Sequence, residues 1–149
     1  MTRHGSGPRL GGVTWTLAAH LAATAAYAGF QWTIRGLAYP QFAEVPPAAF
    51  AGYERAHQTR VSRVVGPLFA ALAVTTLLVL VREPGVLSVA SAACYAVVLG
   101  TTAFAAVPLH RRLSGGFDAA AHRRLLRADL VRALAATGNA ACALLLAAG

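Results

Sequence analysis

The side chains best suited to chemistry in this chain are Tyr53, His57 and Arg60. Their spacing follows the turns of a helix, which puts a phenol, an imidazole and a fixed cation on one stripe with Phe50, Val64 and Pro67. Such a group can bind an anionic or phenolic ligand, with His57 as proton acceptor. Interfacial anchoring accounts for Tyr53 and Arg60 as well, since Tyr sits at headgroup level and Arg snorkels to phosphates. An anchor has no use for His57, so the imidazole is the member that points to function.

A second group follows Pro108. His110-Arg111-Arg112 reads either as an acid/base partner facing His57 or as a plain cationic flank. Asp129 and Arg132 are spaced i, i+3, and mutual pairing makes such charges tolerable at membrane depth. Leu125, Asp129, Arg132, Ala136 and Asn139 share one helical face, which is expected to turn inward and to carry a polar line down from the mouth. Asn139 alone reads as an interhelical hydrogen bond, worth roughly 0.6 kcal/mol in membrane proteins. His122, beside Arg123 and Arg124, reads as solvated surface, and His20 as a neutral imidazole satisfied by a carbonyl or water. No His-x-x-x-His pair occurs, and no metal site is expected.

These residues hang on four apolar runs. Val13–Ile34, Val64–Val81, Gly85–Leu109 and Ala133–Gly149 are 22, 18, 25 and 17 residues long and contain no Asp, Glu, Lys or Arg. A helix needs about 20 residues to cross the hydrocarbon core. Leu130 and Val131 can extend the fourth run past Arg132. The expected fold is therefore all-α, a single four-span membrane bundle over 1–149 with spans near 13–34, 64–81, 85–109 and 130–149. Charged residues make up 12% of the chain, against about 25% in soluble domains, which agrees.

In the formal net charge of +8, every positive charge is an arginine. These arginines flank apolar spans and form no nucleic-acid-binding motif, so nucleic acid is not an expected partner. Anionic lipid headgroups are, at about 1 kcal/mol per nearby Arg. If all four runs cross, ten arginines lie on the side of loops 35–63 and 110–132, and three on the side of the termini. The positive-inside rule then puts those loops in the cytoplasm and both termini outside. Arg3, Arg9 and Ala26-Tyr27-Ala28 also allow a cleaved secretory signal, but the apolar run continues through Ile34, longer than a usual signal core.

Local punctuation fits this layout. Val81-Arg82-Glu83-Pro84-Gly85 is a tight turn, Pro46-Pro47 opens a helix that kinks at Gly66-Pro67, and Asp118 caps the last helix after Ser114-Gly115-Gly116. Tyr27–Pro40 aligns with Tyr95–Pro108 without a gap and matches at five of fourteen positions, which suggests a duplicated hairpin, with common membrane composition as the alternative. Cys94 and Cys142 fall at similar depth and read as packing thiols, with a disulfide as the alternative. Gly29, Gly100 and Gly138 fit close helix approach.

Tyr39-Pro40-Gln41-Phe42, then Phe50, Tyr53, His57 and Arg60, then Pro108-Leu109-His110-Arg111-Arg112-Leu113, Gly116-Phe117-Asp118 and Leu126, form a pattern of their own. It resembles the anthrone-oxygenase-like family of small actinobacterial four-span membrane proteins. Where that family carries Asn-Trp-x-Arg-Thr, this chain has Asp129-Leu130-Val131-Arg132-Ala133, keeping only the arginine. The resemblance implies oxidation of a polycyclic phenolic ketone without metal, flavin or other cofactor. A histidine base, a cation for the enolate oxygen and an apolar cavity would suffice. His57, Arg60, Arg132 and His110 are the expected catalytic groups. Tyr53, Tyr39, Asp129 and Asn139 are the expected contacts to a hydrophobic substrate. The competing expectation is a non-catalytic accessory subunit or lipid-binding scaffold. Transport is a third, requiring a homo-oligomer to provide a path.

Overall fold

Four helices run up and down the bundle in chain order. The computed structural model describes residues 9–10 and 13–149. A two-residue ladder, Arg9 with Thr14 and Leu10 with Val13, leads into α1, Trp15–Thr33. α2 spans Pro47–Arg82, α3 spans Val86–Leu113 and α4 spans Ala119–Ala148. Pro47 occupies the first turn of α2, where its missing N–H costs nothing. Asp118 caps α4 by accepting hydrogen bonds from Ala120 N (2.8 Å) and Ala121 N (3.0 Å). α2 continues as helix through Pro67, the position expected to kink it.

α4 packs most extensively on α3 and α1, α1 packs on α2, and the α2–α3 seam is the thinnest of the four. Side-chain bonds from Trp32 to Thr137 and from Arg35 to the Leu126 carbonyl run α1 antiparallel to α4. α2, α3 and α4 are each long and apolar enough to cross a membrane, and no more than 28% of each apolar window is buried inside the protein. Their apolar side chains face outward, as in a protein solvated by lipid. α1 is less apolar because His20, Thr24 and Gln31 lie along it, and all three turn inward.

Two π-helical turns interrupt this regularity, at Ile34–Ala38 and Thr102–Ala106. Each precedes an X-Pro step, Tyr39-Pro40 or Val107-Pro108. Proline has no N–H for the carbonyl four residues back, and its ring crowds that carbonyl. The helix widens instead, so Tyr39 N bonds Ile34 O and Val107 N bonds Thr102 O, five residues apart. The two turns match at the same offset as the repeat in the sequence.

Candidate functional site

The first π turn leads directly into the site. It delivers Tyr39, which is 2% exposed, into the space between the four helices. Arg132 Nη2 donates to the Tyr39 phenol oxygen (3.1 Å) and to Asp129 Oδ1 (2.8 Å). That leaves the phenol's own hydrogen for His110 Nε2, 3.2 Å away. His110 Nδ1 in turn lies 2.6 Å from Glu54 Oε1, where a carboxylate can only accept, so the chain has one direction: Arg132 to Tyr39, Tyr39 to His110, His110 to Glu54. Gln58 holds the same Glu54 oxygen at 3.1 Å.

Asp129 is a second hub. Besides Arg132 it receives a hydrogen bond from Gln31 Nε2 and has Arg35 Nη1 at 3.7 Å from Oδ2. Tyr27 donates to Gln31 Oε1 (3.1 Å) and so braces the amide. Two arginines thus share one fully buried carboxylate, which keeps a guanidinium stable inside the bundle.

Of these groups, Gln31, Tyr39, Gln58, His110 and Arg132 line one wall of a cavity of about 350 Å³ whose other walls include Phe30, Ile34, Val61, Val65 and Phe69. His57 also lines it, with its ring 5.9 Å from His110, stacked, and 4.9 Å from Phe42, edge-on. Among the described residues His57 makes no hydrogen bond, and Nε2 is enclosed without a partner. Nδ1 is therefore the nitrogen left to meet a molecule in the cavity.

An aromatic cap closes the end of the bundle nearest the loops. Phe42, on a 3-10 turn at Phe42–Glu44, packs against Phe50, Tyr53 and His122. Phe42, Phe50, Leu113 and Leu125 are all fully buried. Each such side chain taken out of water stabilises the cap by about 1.5–3 kcal/mol.

Several expectations need correction. Arg60 is exposed and lines no part of the cavity, because the inward stripe of α2 is Phe50, Glu54, His57 and Val61. Two stripes of helical spacing pass through Phe50 and His57, and the one carrying Glu54 is the buried one. Tyr53 belongs to the cap and donates to Gln41 Oε1 (3.3 Å). His122 is 7% exposed rather than solvated, and its Nε2 donates to the Tyr39 carbonyl (2.9 Å). Asn139 lies in a separate layer, accepting from Ser91 Oγ at 2.5 Å. His20 joins that layer through the hydroxyls of Thr75 (3.0 Å) and Ser91 (2.9 Å), not through a carbonyl. Cys94 and Cys142 are free thiols. Of the three glycines expected at close contacts only Gly138 has one, 3.3 Å from Cys94 Sγ to where a Cβ would stand.

Glu54, Gln31 and Gln58 are the functional residues that sequence reasoning missed. Glu54-Arg55-Ala56-His57 has the Glu-x-x-His spacing of carboxylate and imidazole metal ligands, a pair overlooked in expecting no metal site. Here Glu54 is committed to His110 and Gln58, and no three His, Cys, Asp or Glu side chains gather as ligands among the described residues. No family model, curated protein or solved structure matches this chain.

Proposed function

We propose that this chain is a four-span membrane enzyme that removes a proton from a hydrophobic aromatic or polyketide-like substrate, in the manner implied by its resemblance to the anthrone-oxygenase-like family. α1 is the remaining span, tolerated in lipid because its polar side chains turn inward. Both termini lie outside and the arginine-rich loops inside, following the ten-to-three division of arginines.

One observation supports the reading above all others. The Tyr39 phenol and the Arg132 guanidinium converge on the wall of an apolar cavity that also holds His57. A ring ketone bound there would place its oxygen on Arg132 and Tyr39. His57 Nδ1 would take the acidic C–H proton, and Arg132, joined by the Tyr39 hydroxyl as it turns its hydrogen from His110 to the substrate, would hold the resulting enolate oxygen. Dioxygen, as co-substrate, would then react with the carbanion to give a hydroperoxide. Loss of water from it leaves a new carbonyl, so that a CH₂ and O₂ become a C=O and H₂O. His57 would pass the abstracted proton to the peroxide anion and so return to its neutral form, while the His110–Glu54 pair keeps the Tyr39 phenol in place.

Mass spectrometry of small molecules retained by protein purified gently from its native membrane tests this. The expected result is an aromatic or polyketide-like compound, lost in His57→Ala and in Tyr39→Phe. Ordinary phospholipid alone would favour a lipid-binding scaffold and overturn the proposal.

A further inference from the structure

The cavity is shut towards the mouth and open towards the side. At the mouth, Phe42, Phe50 and Leu113 are sealed together with no exposed surface. The exposed residues of its lining are Ser62 on α2 and Val107 and Arg111 on α3. These belong to the two helices that share the thinnest seam of the bundle. Val61 and Val65 line the same slit from within, half-buried. Outside, Val64 is 51% and Phe104 86% exposed. Apolar side chains around an opening on crossing helices belong in lipid. Arg111, at the threshold, has no ion pair among the described residues, whereas its neighbour Arg112 is held by Asp118 at 2.7 Å.

We infer that the cavity is loaded sideways through the α2–α3 slit, by a membrane-dissolved molecule with an apolar body and one acidic group. Arg111 draws the acidic group to the threshold, and Arg132 with Tyr39 receives it inside. Opposite charge attracts most strongly where water is scarce, so a cation at each end favours an acid over its neutral analogue. A molecule dissolved in water would have to break the aromatic cap. One dissolved in the leaflet meets only the slit. This route concerns access and binding, and it stands whether or not the bound molecule is oxidised.

The experiment places a single cysteine at Ala106, a cavity-lining residue that is 2% exposed, in a Cys94→Ser, Cys142→Ser background reconstituted in vesicles. Pyrene maleimide, which dissolves in the bilayer, is expected to label it, and a sulfonated maleimide confined to water is not. Val107→Trp or Ser62→Trp should slow the lipophilic reagent several-fold, and Phe50→Ala should admit the sulfonated one. Anthracene-2-carboxylate should protect the cysteine better than its methyl ester, with the difference reduced in Arg111→Gln. Should Ala106→Cys fail to fold, Thr102→Cys reports on the same cavity. Equal labelling by the water-confined reagent in the intact cap, indifference to Val107→Trp and Ser62→Trp, or equal protection by acid and ester would overturn the inference.

Discussion

Two polar layers cross the bundle, about 15 Å apart by the helical rise from Asp129 to Asn139. Each draws on all four helices. The outer layer joins His20 of α1, Thr75 of α2, Ser91 of α3 and Asn139 of α4. The inner one joins Gln31, Glu54 with His57, His110, and Asp129 with Arg132. Between them lies an apolar layer built on Tyr27, Leu72, Tyr95, Val98 and Ala136. The outer layer uses hydroxyls, an imidazole and an amide, and no cavity residue belongs to it. The inner one gathers charge, borders a cavity, and leaves Glu54 Oε2, His57 Nε2, Asp129 Oδ2 and Arg132 Nε without hydrogen-bond partners. A closed network uses its bonding capacity to hold helices in register. An open one leaves part of that capacity unused.

The sharpest way to break this contrast is Asp129→Ala. It strips the shared carboxylate from Arg132, Arg35 and Gln31, and stranding a buried charge costs about 3–5 kcal/mol. A thermal melt in detergent should show a large fall in Tm. If His20→Ala falls as far, the two layers do not differ in kind. Tyr39→Phe comes next, removing one oxygen from between Arg132 and His110 at about 1–3 kcal/mol. The fold should survive while retention of the bound small molecule is lost.

Ser91→Ala should cost only about 0.6 kcal/mol and leave ligand retention intact, as expected of a packing layer. Asp118→Asn probes a group outside both layers. Hydrogen bonds from Ala121 N, then from Arg112 and Ala120 N, hold the Asp118 carboxyl below the usual aspartate range despite a smaller opposing effect of burial. A depressed native pKa stabilises above the unfolded value and is lost as pH falls through the native one. Protection of the first turn of α4 against hydrogen exchange should therefore weaken in acid, below the ordinary aspartate pKa, in the wild type, and less so in Asp118→Asn. Arg60→Ala should change neither Tm nor ligand retention, being exposed and outside the cavity.

Much of the fold was legible in the sequence because lipid-facing helices are apolar almost throughout, and caps and X-Pro steps punctuate them. The inward face of α4 was legible too: Leu125, Asp129, Arg132, Ala136 and Asn139 are all buried. The face of α2 was harder. Helical spacing from His57 reaches Tyr53 and Arg60 in one direction of reading and Glu54 and Val61 in the other, and periodicity alone ranks them equally. The scarcity of acids could have decided it, because a carboxylate three residues from a histidine on an approach helix has few reasons to be there. The hydroxyls of Thr75 and Ser91 carried no such signal, since both types are common in membrane helices and bond their own backbone. His122 was misread for the same local reason. Its arginine neighbours point outward while the ring itself turns in under Tyr39.

The paired π turns have a wider consequence. Both turns lie on helices that run the same way through the bundle, so the two X-Pro steps meet at one end instead of facing opposite sides. Tyr39 follows the first turn and Val107 the second. One widened turn therefore presents a buried phenol to the cavity wall and the other an exposed valine beside the slit, so a single backbone device serves an inward and an outward face.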